Sequence, residues 1–382
     1  MAKDLLLEIG CEEIPASFVR PALAEMAGKF SEKAKEARLG FGELRTYGTP
    51  RRLTLLVQGV AEAQEDLFTE VQGPLVKVAY DAEGKPTAIA EKWAAGQGVD
   101  VSALKKKETP KGQYVCVEKH EKGQKAEKVL PDVLLAVIKG IGFKKSMRWG
   151  WEEESFARPV QWIVALHGNK VVKLQFADVK SGNTTRGHRF LSKKPIKIEE
   201  PAAYVELLRE GHVVVDQELR KQLVKQEVEQ QAREVGGAVL EDEELLETVT
   251  FLVESPTGVW GGFDREFLDL PPEVLVSEAR GHQKYFSVKA ADGRLMPNFV
   301  AVSNTPVKDK AVSRAGYERV LRARLSDARF FFTEDQKRPL ASRVDELKRV
   351  VFQEKLGTSY EKMERFRALA IWLAAHLGLG AP

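Results

Sequence analysis

The chain has 382 residues, 59 Lys+Arg against 56 Asp+Glu, 43% hydrophobic side chains and two cysteines. That length exceeds one ordinary hydrophobic core and implies two or three domains. The composition excludes a wholly disordered chain, and two cysteines exclude a disulfide scaffold or a four-cysteine zinc site. No window approaches the roughly 20 apolar residues of a membrane helix. Asp4 and Glu8 interrupt the first apolar run, which argues against a secretory leader, so a reduced, cytoplasmic protein is expected.

Leu5–Ile9 is a short apolar run suited to a buried strand. Phe18–Glu36 repeats Leu23, Met26 and Phe30 on one helical face. Arg52–Val57 and Phe68–Tyr80 read as strands, the second broken at Gly73-Pro74, with a turn at Asp81–Gly84. Pro86–Ala95 is helical, Tyr114–Glu118 a strand and Leu130–Ile141 an apolar helix. Val160–Leu166 and Lys170–Phe176 form a hairpin around His167-Gly168-Asn169, followed by a strand over Thr184–Leu191. The charged, proline-flanked Pro195–Pro201 stretch marks a boundary.

Beyond it the pattern turns helical. Gln217–Val235 ends at Gly236-Gly237, Glu241–Val253 stops before Pro256, and Pro271–Arg280 carries proline in its first turn. Tyr285–Val288 and Leu295–Ser303 return to strand around Asp292-Gly293. From Tyr317 the chain is mostly helix. Its last helix, Tyr360–Leu377, carries Phe366, Leu369, Ile371 and Trp372, so a larger chain or a partner is expected to cover it. The fold class read from this order is α+β and multi-domain, with mixed or antiparallel sheets and packed helices that become all-helical at the C-terminus.

The net charge of +3 conceals a division. Residues 101–148 carry a local +7, residues 311–382 a local +5, and the rest is acidic. Two basic zones on an acidic body fit a polyanion at defined places, although a solvated lysine surface explains the first zone equally well.

The densest constellation is Tyr317–Phe332. Leu321, Leu325, Ala328 and Phe332 make one apolar helical stripe, while Arg319, Arg322, Ser326 and Arg329 make a polar one. Guanidinium groups one turn apart can hold successive phosphates or carboxylates. The plainer reading is a surface helix whose arginines pair with Glu318 and Asp327. Thr49-Pro50-Arg51-Arg52-Leu53 places two arginines at a strand entrance, where alternation would bury at most one. Arg148 beside Trp149 and Trp151, and Arg158 after Phe156, suit base stacking, against the commoner role of tryptophan in a core. Arg186-Gly187-His188-Arg189-Phe190 and Gly281-His282-Gln283-Lys284-Tyr285-Phe286 each join a histidine, a cation and aromatics. A metal held by His188 and His282 with Cys11, Glu12 or Glu13 has no spacing to support it, so no metal ligand is assigned. Phosphate-loop, nucleophile-elbow and dinucleotide motifs are absent, and no residue is assigned a catalytic role.

These blocks resemble the bacterial glycyl-tRNA synthetase β subunit family. The similarity runs through Leu5-Leu6-Leu7-Glu8-Ile9-Gly10-Cys11-Glu12-Glu13-Ile14-Pro15, Tyr47–Leu53, Met147–Gly150, Phe156–Val160, Thr185–Phe190, His282–Phe286 and Glu318–Ala328. Tyr317 departs from it, where asparagine is expected as often. The resemblance implies a β chain that binds tRNA(Gly) and a separate α subunit in an α2β2 heterotetramer. ATP and Mg are then expected on the α subunit, with no cofactor in this chain. It also implies a longer chain continuing through a helical HD-type domain into an anticodon-binding domain. On that reading 1–195 is an N-terminal α/β domain similar to the B3/B4-type domains of the phenylalanine enzyme's β subunit. Residues 196–316 are a helix-rich α+β domain, and 317–382 begin a truncated HD-type domain. The candidate contacts for tRNA or subunit are Arg319, Arg322 and Arg329, then Arg51, Arg148, Arg158 and Arg189. The alternatives are a pure subunit-assembly module and a fragment of an HD-type metal-dependent phosphohydrolase.

Overall fold

The computed structural model describes residues 2–81 and 83–379. The chain gathers into two compact units. The first comprises Met1–Lys225, Leu246–Thr257 and Ser303–Pro306, and the second Gln226–Leu245, Gly258–Val302 and Val307–Pro382. Mixed and antiparallel sheets with packed helices make up the fold, as the element order implied.

The first unit is built from β1 (Lys3–Cys11), α1 (Ala16–Glu36), β2 (Leu44–Thr49), β3 (Arg52–Val60), β4 (Leu67–Leu75), β5 (Lys105–Thr109), β6 (Gly112–Glu121), α2 (Ala126–Gly140) and β7 (Val160–His167). Its main sheet runs β2-β3-β1-β7, antiparallel throughout, and continues past β7 through Val179–Gly182 and Gln175–Phe176. Both faces are covered. Leu5, Leu7 and Ile9 face α1 and α2, meeting Met26, Phe30, Leu130 and Leu134. Leu6 faces the other way, toward Trp162, Val164, Tyr204 and Leu208. A strand buried on both sides has no solvent face to leave polar, which explains the unbroken Leu5-Leu6-Leu7 run.

The register sets out one row of side chains on that second face. Thr49 lies opposite Arg52, Arg52 opposite Gly10, and Gly10 opposite Trp162. One step along, Tyr47, Thr54, Glu8 and Val164 form the next row. Gly10 has no side chain because the Trp162 ring occupies the space: a Cβ there would fall inside the indole. Between β3 and α2 the chain makes a second, three-stranded sheet in the order β4-β6-β5. The helix Ala88–Gln97 covers one face of it with Ala90 and Trp93, and ends at left-handed Gly98 (φ 74°).

Several elements depart from the sequence reading. The strand predicted to run from Phe68 to Tyr80 stops at Leu75, and Val76–Ala79 is one helical turn. Leu44–Thr49 and the lysine-rich Lys105–Thr109 are strands without an apolar run, held by pairing to β3 and β6. The hairpin after β7 keeps only Lys170–Val171. Gln175–Phe176 pairs instead with Val179–Lys180, and Ser181–Gly182 runs parallel to β7. Thr184–Leu191 shortens to Thr184–Arg186, whose partner is Pro195–Lys197, so the stretch read as a boundary opens with a strand.

The second unit holds a four-stranded sheet of Ala238–Val239, β8 (Phe286–Lys289), β9 (Leu295–Ser303) and Thr257–Gly262. The helix Pro272–Glu278 runs into a wide turn over Ala279–Gln283 that Lys284 closes in the left-handed region (φ 60°). α3 (Lys310–Gln336) starts seven residues before the predicted Tyr317 because the Asp309 carboxylate caps the amides of Ala311 and Val312 at 2.9 and 3.2 Å. Leu321 and Leu325, one turn apart on α3, are buried against Phe267, Leu275 and Phe299, as the apolar stripe predicted. α4 (Ser359–His376) opens with a reciprocal cap between Thr358 and Glu361, and carries exposed Phe366, Leu369, Ile371 and Trp372.

The Gly10–Trp162 packing makes a direct prediction. Gly10→Ala should destabilise the first unit by about 1–3 kcal/mol through overpacking, read as a lower urea midpoint at unchanged slope. A midpoint within error of the unsubstituted chain would show that the indole is free to move aside.

Candidate functional site

The polar centre of the first unit grows out of the register of β3, β1 and β7. Arg52, Thr54, Glu8 and Trp162 lie on one sheet face, and all four are buried. A carboxylate on a covered sheet is tolerated only where its lone pairs are occupied. Glu8 accepts from the Trp162 indole N–H, the Thr185 hydroxyl and the Tyr204 hydroxyl, and Arg52 Nη1 stands 3.7 Å away. Arg52 is fully buried as well. Its Nη2 donates to Glu254 at 3.0 Å, its Nε shares Thr49 and Glu254 at 3.2 Å each, and its Nη1 donates to the Arg186 carbonyl at 2.9 Å.

Glu254 comes from more than 200 residues away. Its backbone N–H donates to Asn304 Oδ1 at 2.6 Å and its carbonyl accepts from Val214 at 2.9 Å, which fixes the carboxylate over Arg52. Burial opposes ionisation of Glu254, but Arg52, the Thr49 hydroxyl and Arg51 outweigh it and hold the carboxyl below the usual range. Burial likewise works against the charge on Arg52, and Glu254 and Glu8 overcome it and raise its pKa. Arg220 is the contrasting case. It is buried with backbone carbonyl partners, those of Thr250, Val214, Val215 and Gly48, and burial pushes it down to about 10.

Around this core further arginines gather, Arg51 buried and Arg186 and Arg189 exposed. Arg51, Arg52 and Arg186 all lie over the Trp162 ring, at 5.5, 5.6 and 5.2 Å from its centre. Arg189 is exposed and pairs with Glu12, with Glu13 at 3.8 Å. Three buried polar atoms of this neighbourhood have no protein partner among the described residues: Arg51 Nε, His188 Nε2 and Glu254 Oε2. Arg51 and His188 both act on the Glu254 charge. The Phe190 amide donates to His188 Nδ1 at 3.3 Å, so Nε2 carries the proton, and the three atoms are two donors and one acceptor.

The placement of the predicted residues follows. Arg51 and Arg52 are both buried, contrary to the alternation argument, because Arg51 lies in the Pro50-Arg51 turn joining β2 and β3 and is outside the strand pleat. Arg148 is exposed, with no ion pair among the described residues, and Arg158 is half-buried with Nη1 donating to the Ala157 carbonyl at 2.8 Å. In the second unit Arg322 pairs with Asp264 at 3.0 Å. Arg329 pairs with Glu266 at 2.8 Å and lies over Phe267 at 4.8 Å. These partners replace the predicted Glu318 and Asp327. Glu318 instead accepts from the Gly262 amide at 2.8 Å. Arg319 and Arg324 are exposed and have no ion pair among the described residues.

Among the described residues no group of three His, Cys, Asp or Glu side chains gathers to hold a metal ion, and no helix is long and apolar enough to cross a membrane. Cys11 is buried, its thiol pushed up by burial, and its Sγ faces the Arg51 carbonyl at 3.7 Å. The sequence reading missed Glu8, Glu254, Tyr204 and Arg220 as network members. Only Glu8 carried a signal, as a charge set inside the Leu5–Ile9 apolar run.

The chain belongs to the glycyl-tRNA synthetase beta subunit family, whose profile it matches over residues 5–381. It is similar to the glycine–tRNA ligase beta subunit of Myxococcus xanthus, at 52% identity over 99% of this chain and 54% of that one. It is similar in the same way to those of Trichlorobacter lovleyi (50% identity; 100% and 56%) and Syntrophus aciditrophicus (48%; 98% and 54%). The chain thus spans about half the length of these curated relatives.

Breaking the buried pair should be costly. Arg52→Met or Glu254→Leu should each destabilise the first unit by about 3–5 kcal/mol at pH 7, since each strands a buried charge. The folded-state carboxyl of Glu254 titrates below its unfolded value, so its contribution is complete above about pH 4.5 and is lost as pH falls through the folded pKa. Glu254→Gln should therefore flatten the acid limb of stability in denaturant titrations below about pH 4.5. An acid limb as steep as that of the unsubstituted chain would remove Glu254 from this role.

Proposed function

We propose that this chain is the part of a glycine–tRNA ligase β subunit that helps attach glycine to tRNA(Gly) by contacting both the tRNA and a separate α subunit. The observation that carries the reading is the family match across nearly the whole chain. The chain's own part is positional. Oriented cations on a rigid support hold a polyanion at a fixed place, and presenting the acceptor end to an activated amino acid on another chain lowers the entropic cost of transfer. ATP and Mg belong, on this reading, to the α subunit, the assembly is an α2β2 heterotetramer, and the setting is the cytoplasm.

The surface arginines divide by availability. Arg319 and Arg324, with no internal ion pair among the described residues, are the best placed on α3 for phosphate. Arg322 and Arg329 are engaged by Asp264 and Glu266 and act first as supports. That engagement favours a second reading, a subunit-assembly module whose RNA contacts lie elsewhere in the longer chain. No observation favours the hydrolase alternative.

Glycylation of tRNA by the α subunit, with and without full-length β carrying Arg319→Ala and Arg324→Ala, tests the reading. The double substitution should weaken tRNA binding and lower the slope of log affinity against log salt by about one for each phosphate no longer neutralised. Unchanged affinity and slope, with weakened capture of α, would favour the assembly module.

A further inference from the structure

Between α2 and β7 the chain forms a short projection with two tryptophans. Met147 and Phe156 close it by two backbone hydrogen bonds of 2.9 and 3.1 Å. At its tip the Glu152 amide donates to the Trp149 carbonyl at 3.2 Å, a tight turn with Gly150 in the left-handed region (φ 56°). Trp149 packs inward against the core and Phe176. Trp151 does the reverse: its relative exposure is 102%, so the whole indole stands in water. An apolar ring of that size held outward by a turn whose other tryptophan is anchored has no structural task in the unit.

Its surroundings indicate what it meets. Lys144 and Lys145 before the projection and Arg148 on its first arm are exposed and have no ion pair among the described residues. On the second arm Glu154 is neutralised by Lys139 at 2.7 Å, while Glu152 and Glu153 likewise have no ion pair among the described residues, so three unpaired cations stand against two unpaired carboxylates. Lys144 also lines a cleft of about 340 Å³ at the base of the projection, walled by Phe18, Pro21 and Phe143, with Glu25 at its polar edge. An apolar slot with a polar edge, an exposed indole and an excess of unpaired cations, all on or beside the short stretch of residues 142–151, match a flat heteroaromatic base attached to a phosphate backbone.

We propose that Trp151 and this cleft form a site for unpaired nucleotides of RNA, one base stacking on Trp151 and a neighbour entering the cleft, with Lys144, Lys145 and Arg148 on the phosphates. A duplex does not fit, because its bases are already stacked. The inference rests on the proposal that the chain binds tRNA, and adds that an unpaired segment is gripped here.

The test uses full-length β assembled with α, and measures binding of tRNA(Gly), a single-stranded RNA dodecamer and the same dodecamer annealed to its complement. Trp151→Ala should weaken dodecamer and tRNA binding about tenfold. Trp151→Phe should recover most of that, and duplex binding should stay unchanged. Because Trp151 is fully exposed in this chain, neither variant should alter the chain's own thermal midpoint. Firm tRNA binding by the unsubstituted assembly, untouched by Trp151→Ala, would overturn this site while leaving the broader reading intact. Loss of α capture in Trp151→Ala, with RNA binding unchanged, would overturn it in favour of a protein partner. No tRNA binding by the unsubstituted assembly would sink both.

Discussion

The first unit depends on a carboxylate that its strand pattern has no right to contain. Glu8 sits between covered faces of a sheet, on the side shared with Leu6, and is tolerated only because Trp162, Thr185 and Tyr204 occupy its oxygens with Arg52 alongside. Each of these partners is constrained in turn. Trp162 needs Gly10 beneath its ring, Arg52 needs Glu254, and Glu254 needs Asn304 and Val214 to hold its backbone. A buried polar network of this kind contributes specificity of register more than net stability. A one-residue slip of β1 would turn Glu8 into the apolar layer of α1 and α2.

The same network organises the surface above it. Arg186 and Arg189 project from the strand end whose position it fixes, and the Trp162 ring lies under Arg186 and under the buried Arg51 and Arg52. Family-like blocks far apart in sequence, at 5–15, 47–53 and 185–190, therefore meet in one place, joined by Glu254. The second unit uses a different economy of charge. On α3 the arginine row is partly consumed by Asp264 and Glu266, leaving Arg319 and Arg324 outward, while Leu321 and Leu325 bind the helix to its sheet.

Much of the fold was legible in the chain order. Strong apolar runs and helical periods placed β1, α1, α2, β7, β9 and α4 within about four residues, whereas α3 begins seven residues earlier than its apolar stripe indicated. What escaped was structure held by pairing alone. Lys105–Thr109 has three lysines in a row and no apolar signature, and is a strand because β6 supplies its hydrogen bonds. Pro195–Lys197, within the stretch read as a boundary, escaped for the same reason. Of the candidate site, the arginines were visible as residue types but not as roles, since a guanidinium looks the same in sequence whether it is buried on Glu254, paired on a rim or free.

By itself the sequence determined the fold class, the alternation of sheet and helix, the apolar stripe of α3 and the family, because hydrophobic period and motif order are local properties of a chain. Only the tertiary structure decided that Arg51 and Arg52 are both buried, since Arg51 lies in a turn that escapes the strand's alternation. It alone joined Glu8 and Arg52 to Glu254, because a charge pair is set by register and by packing between segments some 200 residues apart. And the near-neutral charge balance resolved into paired and unpaired cations only when each arginine and lysine had been placed beside, or away from, a carboxylate.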